Sequence, residues 1–163
     1  MSLASAKSRG WGDPGGPANP KTSAAFHARN IIVVSAGNIK LAVHKGIAPL
    51  VITGIKKCVA IGYTFDKVAD DWGYANRYIR GAEARKVLSN HAWGLALDLN
   101  ATKNPMTSDG KRHTDMPATV VAIWTSLGFQ WGGNYTGSRK DTMHYEFAGT
   151  PATAAALIAS LHL

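Results

Sequence analysis

The 163-residue chain is 45% hydrophobic and only 17% charged, which supports one compact globular domain over residues 1–163 and argues against a disordered chain. Its single Cys58 leaves no intramolecular disulfide, and no apolar run reaches membrane-spanning length. The formal charge of +8 is unevenly spread: residues 1–60 carry eight Lys or Arg against Asp13 alone, whereas residues 61–163 are nearly balanced. A basic half of this kind suits an anionic surface or polymer. No zinc-finger spacing or aromatic-interleaved basic motif accompanies it, so nucleic acid is not the expected partner.

The glycine- and proline-rich start "MSLASAKSRGWGDPGGPANP" lacks the apolar stretch of a secretory signal, so the chain reads as made in the cytoplasm, with residues 1–25 flexible or extended. "NIIVVSAGNIKLAV" predicts two short strands around Ala36-Gly37-Asn38. A helix is expected from about Ile47 to Ile61, stopped by Gly62 and covering the sheet, with Pro49 and Gly54 as its weak points. "WGYANRYIRG" reads as a strand or extended segment, and "GLALDLN" as a central strand. Met116-Pro117 opens a helix that runs to Leu127 before Gly128. "FQWGGNYTGSRKDTMHYEF" forms a hairpin-like unit, and Thr150 with Pro151 starts a terminal helix. The order is α+β.

In the strand "GLALDLN", alternation puts Leu95, Leu97 and Leu99 on one face and Ala96, Asp98 and Asn100 on the other. His91 lies just ahead of it, and Gly94 allows a close backbone approach. Taken alone, His91 and Asp98 could be no more than a satisfied buried pair. "DTMHYEF" adds His144 and Glu146 on one strand face, with Met143, Tyr145 and Phe147 on the apolar one. His91, Asp98 and His144 thus form a two-histidine, one-carboxylate set, the pattern of a catalytic zinc, one per chain, with an open position. Amide hydrolysis also needs a proton carrier, for which Asp141 and Glu146 are the candidates.

"SNHAWGLALDLN" resembles the Ser-x-His-x6-Asp motif of the VanY-like zinc peptidases, the D-alanyl-D-alanine carboxypeptidase family, and "DTMHYEF" resembles their closing Asp/Glu-x-x-His element. "DDWGYANRYIRG", "DLNATKNPM", "TDMP" and "FQWGGNY" are similar, in this order, to the peptidase domains of phage endolysins, particularly from phages of actinobacteria; "RGWGDP" is reminiscent of the same group. The resemblance implies a DD-peptidase-like α+β fold with flanking helices and a small central antiparallel sheet carrying zinc on His91, Asp98 and His144. It implies Asp141 as acid/base, with Glu146 as a supporting carboxylate. Arg77 and Arg80 would hold a substrate carboxylate or the developing oxyanion, and Ser89 a ligand or substrate. Strict alternation would turn Asp141 away from His144, so a turn or bulge is required near Thr142.

The substrate class so implied is the peptidoglycan stem peptide, cut between L-alanine and D-glutamate, with D-alanyl-D-alanine carboxypeptidase or endopeptidase action as the alternative. Such a protein, a monomer, would reach the wall after holin-type release, and its basic half could bind anionic wall polymer. A non-catalytic wall-binding module is the reading from another class. Nucleophilic hydrolysis is disfavoured: no Gly-x-Ser-x-Gly elbow occurs, and Cys58 falls among apolar helix neighbours. Trp93, Trp131 and Tyr145 read as packing residues, His113 as exposed, and His27, His44 and His162 as without partners in the pattern.

Overall fold

A computed structural model describes residues 6–66 and 71–163. Met1 to Ser5, and Asp70 at the head of the "DDWGYANRYIRG" motif, lie outside them. The fold is α+β, with helices around small antiparallel sheets.

The expectation of a flexible or extended start does not describe residues 6–25. Ala6, just before the turn Lys7–Trp11, and Trp11, at its end, are buried, and the Trp11 indole donates to Gly149 O at 2.8 Å. Helix α1 (Pro20–Asn30) already begins at Pro20, where the Asn19 side chain accepts from Thr22 N and Pro20 occupies a position that needs no donor. It ends where the β-branched run Ile31-Ile32-Val33-Val34 takes over as β1 (Ile31–Ala36), which pairs antiparallel with β2 (Ile39–His44) across Gly37-Asn38.

Helix α2 (Ala48–Ala60) follows a short 3-10 turn, within a residue of the expected bounds. Pro49 sits in its first turn, where proline is tolerated. Gly54 is a packing requirement, since a Cβ there would meet the Trp124 ring at 2.6 Å. α2 lies against β1 and against α3 (Ala118–Ser126).

The sheet that matters for function has the order β3-β7-β5, from β3 (Ala96–Asp98), β5 (Phe129–Trp131) and β7 (His144–Phe147). β7, not the "GLALDLN" strand, is therefore central. On its other side β3 meets, among the described residues, an isolated bridge between Trp72 and Asp98. "WGYANRYIRG" is extended but forms no strand, because its donors go to scattered acceptors such as Ala42 O and His91 O. A second pair, β4 (Met106–Thr107) with β6 (Lys140–Asp141), flanks the site, and α4 (Pro151–Ser160) starts under the Thr150 cap.

One sheet face is the core: Leu97, Phe129, Tyr145 and Phe147 are almost fully enclosed with Trp124 and Ile55. The opposite face carries Asp98, His144 and Glu146. Among the described residues no helix is long and apolar enough to cross a membrane.

Candidate metal centre

Strand register assembles this face. β3 and β7 run antiparallel with Asp98 opposite His144 and Ala96 opposite Glu146, so two side chains 46 positions apart emerge as direct cross-strand neighbours. His91 enters from the 3-10 turn Asn90–Trp93, whose N-terminal cap is Ser89: its Oγ accepts from His91 N at 3.4 Å. The turn closes at Gly94, held at φ +67°, a left-handed conformation, where a Cβ would meet His44 N at 2.7 Å.

Three acceptor atoms converge here. His91 Nε2 lies 3.2 Å from His144 Nδ1 and 3.2 Å from Asp98 Oδ1, and His144 Nδ1 lies 2.9 Å from the same oxygen. All three side chains are buried. Ligands of a tetrahedral zinc with bonds of about 2.0–2.1 Å stand about 3.3 Å apart, so the triangle matches one face of that geometry.

The far side of each ring is also fixed. His91 Nδ1 donates to Gly73 O at 2.5 Å, which leaves Nε2 as the lone-pair nitrogen. Gly73 has no room for a side chain, since a Cβ would press on Ala42 O at 2.1 Å. His144 Nε2 faces Glu146 Oε2 at 3.5 Å, which directs Nδ1 inward.

Electrostatics agree with a cation site. Burial opposes charge on His144, but hydrogen bonds to Asp98 and Glu146 override it and raise the imidazole to about 10 without metal. Burial likewise opposes ionisation of Asp98 and Glu146, yet the two histidines hold Asp98 well below the usual carboxylate range. His144, Asn90 and Tyr135 hold Glu146 at about 2. Two imidazole nitrogens and a carboxylate oxygen are a donor set that fits zinc.

A cleft of about 700 Å³ opens over this face and is lined by Arg77, Ser89, Asp141, His144 and Glu146, among others. A turn at Thr142-Met143 separates β6 from β7, so the alternation that would send Asp141 away from His144 is interrupted. The Trp131 indole donates to Thr142 O at 2.8 Å and pins this turn. Asp141 Oδ1 is buried without a hydrogen-bond partner among the described residues, and Oδ2 stands 3.8 Å from Arg139. Burial raises its pKa, against the pull of His144.

Glu146 is held differently: Asn90 Nδ2 donates to Oε2 at 2.5 Å and the Tyr135 hydroxyl to Oε1 at 3.0 Å. Arg77 stands 3.9 Å from Asp98 Oδ2 on the cleft wall. Arg80 is exposed and outside the cleft lining; its carbonyl accepts from Arg139. Trp93 and Tyr145 are core, and Trp131 is both packed and part of the cleft wall. His113 is exposed and paired with Asp109, while Cys58 is buried with its thiol pushed up to about 12.

Asn90, Tyr135 and Arg139 went unassigned in the sequence. Asn90 and Tyr135 stand inside recognisable motifs, but only the folded contacts reveal their partners.

A protein family described as D-alanyl-D-alanine carboxypeptidase matches residues 82–147, less than half of the chain. The matched stretch contains Ser89, His91, Asp98, Asp141, His144 and Glu146 and stops short of Arg77 and Arg80. No curated protein matches the chain.

Proposed function

We propose that the chain is a single-domain zinc peptidase that hydrolyses an amide bond of the peptidoglycan stem peptide, acting as a phage-type endolysin on the bond between L-alanine and D-glutamate. One observation carries the reading: His144, one of three convergent metal acceptors, lines a cleft together with a buried carboxylate, Asp141, that has no hydrogen-bond partner for one oxygen among the described residues. The family match over residues 82–147 supports the same chemistry.

His91, Asp98 and His144 would hold one zinc, which supplies Lewis acidity and brings the pKa of water at the site to about 7. Asp141 takes the proton of the attacking water and returns it to the leaving amine, and its raised pKa suits a group that must do both. Arg77 holds a substrate carboxylate or the developing oxyanion, Ser89 positions His91 and borders the substrate, and Arg80 acts only at the cleft's outer edge. The basic N-terminal half gathers anionic wall polymer, and the protein works as a monomer on the wall after holin-type release.

The description of the matched family favours a second bond, D-alanyl-D-alanine. Digestion of purified peptidoglycan with mass analysis separates the readings. New N-terminal D-glutamate is the expected product; released D-alanine would move the cut to the second bond. Zinc loading and wall binding without any cleavage would instead leave a binding module.

A further inference from the structure

The turn at Lys7–Trp11 reaches the candidate metal centre through one chain of contacts. Arg9 Nη1 donates to Phe147 O at 2.8 Å and to Gly149 O at 3.3 Å, which fixes its guanidinium at the end of β7. Its Nη2 donates to Asn90 Oδ1 at 3.3 Å. Asn90 then presents Nδ2 to Glu146 Oε2, and Glu146 faces His144 Nε2. We propose that Arg9 and Asn90 are positioning residues for the metal centre, acting in series through Glu146 to hold the His144 ring with Nδ1 toward His91 and Asp98.

The physical argument concerns the amide. An asparagine side chain can rotate to exchange its oxygen and nitrogen, and with the oxygen toward Glu146 it would repel the carboxylate it now donates to. A cation on Oδ1 fixes the orientation, because a guanidinium cannot accept a hydrogen bond from the amide nitrogen. With Asn90 locked and the Tyr135 hydroxyl on the other oxygen, Glu146 has one stable placement, and so does the imidazole it faces. A direct partner of a ligating histidine, here Glu146, is worth about 10- to 100-fold in metal affinity, and Asn90 and Arg9 act through it. The relay also gives the segment before α1 a function that its glycine-rich sequence conceals.

The inference rests on the reading of His144 as a metal ligand, and the test separates the two. Zinc affinity and the visible spectrum of the cobalt(II)-substituted protein are measured for the unaltered chain, Arg9→Met, Asn90→Leu and the double variant, with circular dichroism to confirm the metal-free fold. Each single change should weaken zinc binding about 10- to 100-fold and shift the cobalt spectrum, and the double variant should lose no more than the worse single one. Losses that multiply in the double variant, or unchanged affinity and spectrum in the singles, overturn the relay. If Arg9→Met does not fold, Asn90→Leu carries the test alone, since Arg9 keeps its two carbonyl acceptors there. An unaltered chain that binds neither metal overturns the ligand reading itself.

Discussion

Asp141→Asn separates proton transfer from metal binding. The Asp141 side chain is 12% exposed, one oxygen has no hydrogen-bond partner among the described residues, and the other stands 3.8 Å from Arg139, beyond hydrogen-bonding reach. Burial raises its pKa above 3.8, so the ionised carboxylate opposes folding at neutral pH, and that cost vanishes only as pH falls below the unfolded value. Asparagine keeps the volume and removes the charge. The variant should therefore hold as much zinc as the unaltered protein and melt at the same temperature or slightly higher at pH 7. Turnover should fall by about 10² to 10⁴, the usual worth of a general acid/base, which corresponds to about 3 to 5 kcal/mol in barrier height. The assay is hydrolysis of a soluble muropeptide at saturating zinc, with melting by calorimetry. Glu146→Gln is the control: it loses the ion pair to His144 and should melt lower while keeping far more activity when fully loaded. An active Asp141→Asn beside a folded, zinc-loaded but dead Glu146→Gln would transfer the acid/base role to Glu146.

Four further outcomes are expected. His144→Ala should lose most of the approximately one zinc per chain, because two ligands form too weak a set; full zinc content measured by plasma mass spectrometry would remove His144 from the site. Since the metal-free imidazole sits at about 10, against 6.5 for a free one, zinc binding at pH 7 should release about one proton, read by calorimetry in buffers of different ionisation enthalpy. By the same sign, His144 stabilises the metal-free protein fully below pH 6.5 and loses that contribution as pH rises through about 10, so the metal-free melting temperature should fall over that window. If the basic N-terminal half gathers wall polymer, added salt should weaken wall binding in a pull-down while leaving soluble muropeptide hydrolysis nearly unchanged; equal sensitivity would refute the targeting role.

That Asp98, His144 and Glu146 share one sheet face was legible because two short strands alternate cleanly. The leucines of "GLALDLN" and the Tyr145 and Phe147 of "DTMHYEF" declare the core face, which forces Asp98, His144 and Glu146 onto the other. The hairpin, α2, α3 and the Thr150 cap were readable from turn and capping residues. The N-terminal packing was not: "WGDPGGPANP" has a linker's composition, α1 buries only Ser23 and Phe26, and Trp11 anchors through an indole bond to Gly149 that no periodicity signals. The centrality of β7 and the Arg9–Asn90–Glu146 contacts depend on which distant segments meet, and local pattern does not encode that. Arg80, which the sequence resemblance set beside Arg77, is exposed at a turn outside the cleft lining, a placement that depends on the loop's path.

The central claim is that His91, Asp98 and His144 hold the zinc that makes this cleft a peptidase. The most direct measurement is stoichiometric reconstitution: metal is stripped by chelation, zinc is returned in steps, and peptidoglycan hydrolysis is followed at each step. Activity should be absent at the start, rise in proportion to added zinc and level off at about one equivalent, as expected for a single catalytic site. Full hydrolysis by the stripped protein, or none at one bound equivalent, would contradict it.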